Sequence, residues 1–370
     1  LSLSEIPMGR LWNTLLSGAD KVFARDRMLA RPLRIHIEVN DFCNLKCPHC
    51  PRENPESIKN TGNVPIEAIE RLAPFFKSAN YVGLTGNGEP FMHPKIFEIL
   101  KIVTASGSTP AVISNGTLWK RKGAIEILPT LGPMIITVSF DGGTKETFEK
   151  WRKPAIFEEV LGNLAALRDE KKRLNTPFPI VNFLVCLMKD NIGETEKLVE
   201  IAAEHGISVL TFQNMYPYVK EYESERIMDL AACEAAVERA RVLGRQRGVR
   251  VEHLPMAFDV DDRSAPNGNG SNGNGHHPPV FHCNNVWEQI HVTVKGEVKF
   301  CCWWRDGAIG DLTKDDLKDL WNSAEWVALR RDLSQGRKPR SCEGCHNLVR
   351  YDRSALWGAT KTEMKDLARR

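Results

Sequence analysis

Of the ten cysteines in 370 residues, eight fall into two groups whose spacing suits inorganic chemistry. The first is Cys43-Asn-Leu-Lys-Cys47-Pro-His49-Cys50, three thiols within eight residues, with Cys186 the nearest later cysteine. A structural zinc site wants four protein ligands, usually as pairs of CxxC, so a CxxxCxxC triplet suits zinc poorly. A four-iron cluster held by three thiolates keeps one iron open to an outside ligand, which is a catalytic arrangement.

The second group is Cys283, Cys301, Cys302, Cys342 and Cys345, ending in Cys342-Glu-Gly-Cys345. Four of these suffice to close around a cluster or a zinc ion. Cys301 and Cys302 compete for one place, because successive strand residues point to opposite faces. Cys233, in a helical stretch, reads as packing, and Cys186 lies on a strand with either face open to it.

Composition narrows the setting. Fifty basic residues against forty-seven acidic ones, with 26% charged and 42% hydrophobic residues, describe a folded protein. A net charge of +3 over this length makes no phosphate-gripping stripe, so no nucleic-acid partner is expected. The cysteines are too sparse for a secreted disulfide scaffold, and Leu1 to Arg10 lacks the apolar core of a signal peptide. The longest apolar runs, such as Met134 to Phe140, are strand-sized and predict no membrane partner. A cytoplasmic, reducing location follows as the expectation, with metal binding the default for clustered thiols.

Elements that position these thiols are visible in the hydrophobic periodicity. A roughly helical pattern of Leu11, Leu15, Leu16, Val22 and Phe23 runs into the alternation Leu33, Ile35, Ile37, Val39, which has the period of a strand. Further strands are predicted at Tyr81 to Thr85, Ala111 to Ser114, Met134 to Phe140, Ile180 to Met188 and Val209 to Gln213. Helices are predicted at Pro65 to Lys77, Pro94 to Ala105, Phe157 to Leu174, Glu194 to His205 and Leu230 to Arg247. Six alternating strands imply an α/β fold, a partial (β/α)6 TIM-like barrel. The Asn/Gly tract of 267–275 reads as a linker or loop. Beyond it Lys295-Gly296 marks a hairpin, and a helix carrying Leu317, Leu320, Trp321 and Leu329 follows a capping box at Thr313 and Asp316. The expected division is an N-terminal helical segment (1–32), a barrel (33–255), a linker (256–280) and a small C-terminal domain of hairpin plus helix (281–370).

The cysteine triplet after the first strand, with aromatic His49 before its last thiol, resembles the radical S-adenosylmethionine (SAM) enzymes. That resemblance covers roughly residues 33 to 215. It implies a [4Fe-4S] cluster whose open iron chelates SAM and whose electron cleaves it to a hydrogen-abstracting 5'-deoxyadenosyl radical. Gly86-Asn87-Gly88-Glu89-Pro90 is similar to the family's Gly-Gly-Glu-Pro segment, with its first glycine replaced, and so assigns Gly88, Glu89 and Pro90 to the methionine amino group. The same resemblance assigns Ser114, Asn115, Ser139 and Asp141 at later strand ends to the ribose and carboxylate of SAM, and Arg152 to its carboxylate.

The later cysteines resemble the auxiliary-cluster domain called SPASM in its shortened "twitch" form, with Cys283, Cys301, Cys342 and Cys345 favoured as ligands and Cys302 able to replace Cys301. Cysteines ending at Cys345 leave an expectation of one auxiliary [4Fe-4S] cluster. Twitch relatives then imply a radical oxidoreductase, dehydrogenating a sugar, aminocyclitol or similar small molecule, with the auxiliary cluster accepting the electron. The alternatives are an epimerase acting on a sugar or peptide with Cys186 or Cys302 as hydrogen donor, and a non-enzymatic iron-sulfur or zinc module. Flavodoxin or ferredoxin is the implied electron donor. Gln213, Tyr216, Tyr218, Arg305 and Asp306 are candidates to line the substrate pocket.

Overall fold

A computed structural model describes residues 8–55, 61–254, 280–304, 306–343, 345 and 348–351. The tract 267–275 and Arg305 lie outside them. After helix α1 (Met8–Val22), strands and helices alternate: β1 (Arg34–Ile37), α2 (Ile66–Phe76), β2 (Tyr81–Leu84), α3 (Ile96–Ala105), β3 (Pro110–Ser114), α4 (Ala124–Ile127) and β4 (Ile135–Ser139). Helices α5 (Lys145–Trp151) and α6 (Phe157–Arg173) precede β5 (Ile180–Leu187), and α7 (Thr195–Glu204), β6 (Val209–Asn214), α8 (Leu230–Arg247) and β7 (Arg250–Leu254) complete the series. All neighbouring pairs from β1 to β7 are parallel, as right-handed βαβ units require. The sheet stays open, so this is the expected partial barrel, extended by the unpredicted strand β7.

Alternation along the strands separates two faces. On β5, Val181, Phe183, Val185 and Leu187 are buried, and Phe183 stacks on Phe140 with ring centroids 4.7 Å apart. Asn182, Leu184 and Cys186 occupy the other, half-open face, as do Thr137 and Ser139 on β4 and Thr211 and Gln213 on β6. The apolar face is the one that helices cover; the polar face is the barrel lumen.

The C-terminal part begins with β8 (Val280–His282) and α9 (Asn284–Glu288), then β9 (Gln289–Val292), β10 (Glu297–Lys299) and β11 (Gly310–Asp311). The β9–β10 pair is the expected hairpin, and Gly296 takes a positive φ of 83° in its turn. Strand β9 also pairs in parallel with β1, so the sheet runs on into the hairpin in the order β11-β10-β9-β1-β2-β3-β4-β5-β6-β7. The single expected helix is two, α10 (Leu317–Leu320) and α11 (Ala324–Ser334). No Thr313 capping box forms: its hydroxyl donates to Asp311 Oδ1 at 2.7 Å, while Asp316 and Ser323 are themselves the N-caps. Strand β12 (Val349–Tyr351) pairs with β8.

Residues 25–31 run across the C-terminal helices. Trp321 Nε1 donates to Ala30 O at 2.8 Å, and Asn322 exchanges two bonds with the Met28 backbone at 2.9 and 3.0 Å. Fully buried Arg330 lies 4.4 Å from the Trp321 ring and donates to Val286 O, Trp321 O and Asp26 O. These neutral acceptors and the cation–π contact offset only part of the burial of its charge, which lowers its pKa to about 9.

Candidate functional site

The triplet follows β1 directly, at the carboxyl ends of the strands where barrel sites form. Cys47 is buried and Cys43 and Cys50 half-buried, with Cys50 capping the 3-10 turn Pro51–Glu53. Burial raises all three thiols, Cys47 to about 12, against the opposing pull of Arg152 on Cys47 and Cys50 and of Arg52 on Cys43 and Cys50. N–H donors are already aimed at sulfur: Leu45 N lies 3.4 Å from Cys43 Sγ, Asn115 Nδ2 4.0 Å from Cys43 Sγ and Arg152 Nη1 4.0 Å from Cys47 Sγ. Three thiols supplied with cations and N–H donors fit the thiolate ligands of an iron-sulfur cluster, whose sulfurs are tuned by such bonds. Among the described residues no three His, Cys, Asp or Glu side chains form a site for a single metal ion.

Asp141, fully buried after β4, gathers the polar groups around Cys47. Arg152 Nη2 stands 2.5 Å and His49 Nε2 3.3 Å from its Oδ2, and Cys186 N donates to Oδ1 at 2.7 Å. Burial would raise this carboxyl, but Arg152 and His49 outweigh it and hold it below its usual value. Arg152 thus carries a carboxylate partner from its own chain, while His49 Nδ1 and Arg152 Nε are buried with no hydrogen-bond partner among the described residues. Cys186 faces the lumen side beside this cluster and packs near Trp151, Met188 and Met215. Burial, then Asp141, raises its thiol.

Glu89 N donates to Phe42 O at 2.7 Å, and Asn40 Nδ2 to Glu89 O at 2.9 Å, clamping the loop after β2 onto the cysteine loop. Gly88 is required by that approach, since a Cβ there would lie 2.0 Å from Asn40 Oδ1. Pro90 opens the next 3-10 turn. The Glu89 carboxylate accepts from Ser114 Oγ, Asn115 N and Phe91 N at 2.8, 2.7 and 3.2 Å, and burial raises its pKa from 4.5 to about 7. The Asn115 amide is caught in a closed ring with Asn44 and Thr117, bonds of 3.0, 2.8 and 2.7 Å. Ser139 ends β4 on the open face. Asn40, Asn44, Arg52 and Thr117 were not singled out from the sequence; their signal was only that they flank the triplet or a strand end.

A pH effect follows from Glu89. Its folded pKa lies above the unfolded one, so the folded state binds the extra proton and stability falls as pH rises from 4.5 to about 7. Between pH 5 and 8 the cluster-free protein should lose roughly 3 kcal/mol that Glu89→Gln does not lose, at 1.36 kcal/mol per pKa unit. Urea unfolding of both proteins at the two pH values checks this; an equal change in both would refute it.

In the C-terminal part Cys283 is buried, and Cys301, Cys342 and Cys345 are half-buried. Burial raises Cys301 to about 12 and Cys342 to about 11, and charges on neighbouring thiols push both further. Cys301 senses Cys283 and Cys345, whereas exposed Cys302 senses Glu38 on the extension of β1 and Cys345. Cys301 also feels Cys302, and both feel Cys345, so the five thiols form one group in which either of the two adjacent cysteines can stand beside Cys283, Cys342 and Cys345.

Tyr218 O accepts from Asn54 Nδ2 at 3.0 Å, and burial raises its hydroxyl to about 12, with Tyr216, Cys302, Cys186 and Cys50 adding to the rise. Its ring lies 4.5 Å from that of Tyr216 and 6.2 Å from that of Trp303. Gln213 is the register partner of Cys186. Asp306 does not join this pocket; it is exposed and accepts from Ser341 Oγ, because the turn after β10 carries it outward. A groove of about 500 Å³ between α5, α6 and α7 holds none of the cysteines and lies on the helix side of the sheet.

Two family profiles match the chain, the radical SAM superfamily over residues 37–202 and an iron-sulfur cluster-binding domain, SPASM, over residues 283–346. The chain belongs to the radical SAM superfamily and carries a SPASM domain, with a [4Fe-4S] cluster, SAM and auxiliary iron-sulfur ligation as its cofactors. It is 26% identical over 321 residues to the antilisterial bacteriocin subtilosin biosynthesis protein AlbA of Bacillus subtilis, covering 85% of this chain and 64% of AlbA. It is 26% identical over 189 residues to GTP 3',8-cyclase of Chlorobaculum tepidum, covering 50% of this chain and 54% of the cyclase. The chain thus spans less than two thirds of the length of these relatives. Its fold matches Streptococcus suis SuiB bound to precursor peptide SuiA with a TM-score of 0.65 at 16% identity, over 84% of this chain and 69% of SuiB. No helix among the described residues is long and apolar enough to cross a membrane.

Proposed function

We propose that this protein is a radical oxidase: it removes hydrogen from a substrate carbon and completes a two-electron oxidation across its two cluster sites. The observation that carries the reading is Tyr218, whose carbonyl accepts from Asn54 Nδ2, four residues past Cys50, at 3.0 Å and whose ring stacks on that of Trp303, next to Cys302, with centroids 6.2 Å apart. When bound, the clusters and SAM supply the redox chemistry, a hydrogen-abstracting 5'-deoxyadenosyl radical on one side and an electron acceptor on the other. The chain's own contribution is orientation. The Asp141, Arg152 and His49 group, Ser139 and the clamped Gly88 loop hold the cofactor end, while Thr137, Asn182, Thr211 and Gln213 offer a polar lumen to the substrate. On this reading 33–255 is the barrel, 281–370 the auxiliary-cluster cap, and Cys43, Cys47, Cys50, Cys283, Cys301, Cys342 and Cys345 the ligands.

Similarity to AlbA over 85% of this chain supports a peptide substrate. The polar lumen supports the second reading, a sugar, aminocyclitol or similar small molecule. A cytoplasmic flavodoxin or ferredoxin is the proposed reductant. Epimerisation is the competing outcome, since burial beside Asp141 keeps the Cys186 thiol protonated, the form that donates a hydrogen atom, with exposed Cys302 as the other candidate donor. Turnover in heavy water decides: oxidation yields product two hydrogens lighter with no carbon-bound deuterium, whereas one deuterium at an inverted carbon would replace the oxidase reading by the epimerase.

A further inference from the structure

Two residues past the third cysteine, Arg52 is only 6% exposed. Its Nη1 donates to two backbone carbonyls on different loops, Asp41 O between β1 and the triplet, and Asn87 O at 3.0 Å between the two glycines after β2. One nitrogen therefore spans the junction that Asn40 and Glu89 close from the other side. The Asp41 carboxylate does not compete for it, being taken up by Thr61 N, Thr61 Oγ1 and Gly62 N at 2.6 to 3.0 Å. The loop it holds is the one whose Gly88 has no room for a side chain, so a small shift of Asn87 would be felt at Gly88 and Glu89.

We propose that Arg52 is a positioning residue for SAM: its guanidinium fastens the Gly86–Glu89 loop to the cysteine loop and so keeps that loop in the geometry that receives the cofactor. The inference rests on membership of the radical SAM superfamily and not on the oxidase reading. A point cation that can still reach two carbonyls should serve in part, and a neutral side chain should not.

The test uses the full chain, anaerobically reconstituted, as wild type, Arg52→Lys and Arg52→Gln. Iron content, the change in the reduced cluster's EPR spectrum on adding SAM, and the SAM dependence of 5'-deoxyadenosine formation under dithionite are measured. Arg52→Gln should keep its iron and its kcat while its KM for SAM rises about tenfold, the loss expected for a charged buried hydrogen bond. The EPR change should require correspondingly more SAM, and Arg52→Lys should recover most of the affinity. An unchanged KM in Arg52→Gln at full iron content would overturn the proposal, as would a fall in kcat alone. Loss of iron from Arg52→Gln would overturn it in favour of a role in cluster assembly. Failure of the wild type to form 5'-deoxyadenosine would instead count against the shared family chemistry, which separates the two failures.

Discussion

Cys47→Ala abolishes 5'-deoxyadenosine formation if the triplet holds the cluster that cleaves SAM. Cys47 is the most buried of the three thiols and the one that Arg152 Nη1 approaches, so its loss removes the innermost ligand of the triplet. Dithionite-reduced variant should fall to the protein-free control, a loss of about three orders of magnitude or more. Cys233→Ala is the comparison: that thiol lies between α8 and β6, 3.6 Å from Asn214 Oδ1, and its removal should leave SAM cleavage intact. Cleavage by Cys47→Ala at the wild-type rate would dismiss the assignment, and a zinc or iron-sulfur interaction module would then be the better account.

The second large effect separates the two cluster sites. Reconstituted wild type should hold about eight irons and the Cys342→Ala, Cys345→Ala double variant about four, from the stoichiometry of two four-iron clusters. The variant should still form 5'-deoxyadenosine, because the triplet and its partners Arg152, Asp141 and His49 all lie in the barrel. Substrate oxidation should nonetheless stop. An iron count unchanged by the double substitution would remove Cys342 and Cys345 from the ligand set, and loss of 5'-deoxyadenosine in it would mean that the two sites are not independent.

Periodicity carried much of the fold. The runs at 180–188 and 209–213 alternate because one face meets helices and the other a polar lumen, and both are strands within a residue or two. Strand β7 escaped notice since Arg250, Glu252 and His253 interrupt any apolar alternation on an edge strand with an exposed first residue. The pairing of β9 with β1 was invisible for a different reason: it joins residues more than 250 apart, and no local pattern encodes a partner at that distance. In the site, thiol spacing was legible because cluster ligation demands it. Arg52 acts through backbone carbonyls, and Asn44 and Thr117 through their bonds to Asn115, the one member of that ring that its strand end made legible, so these three leave no spacing rule to find.

The strap of residues 25–31 across α10 and α11 has a consequence for biosynthesis. Its partners, Trp287, Trp321, Asn322 and Arg330, leave the ribosome 262 to 304 residues later. Strand β1, flanked by β2 and β9, likewise lacks one neighbour until then. The nascent barrel must therefore wait with its first strand half-paired, a long-range closure that slows folding and exposes a sheet edge to aggregation. Cluster delivery to the triplet, five residues past Glu38, meets a chain whose neighbouring strand edge is still open during that interval.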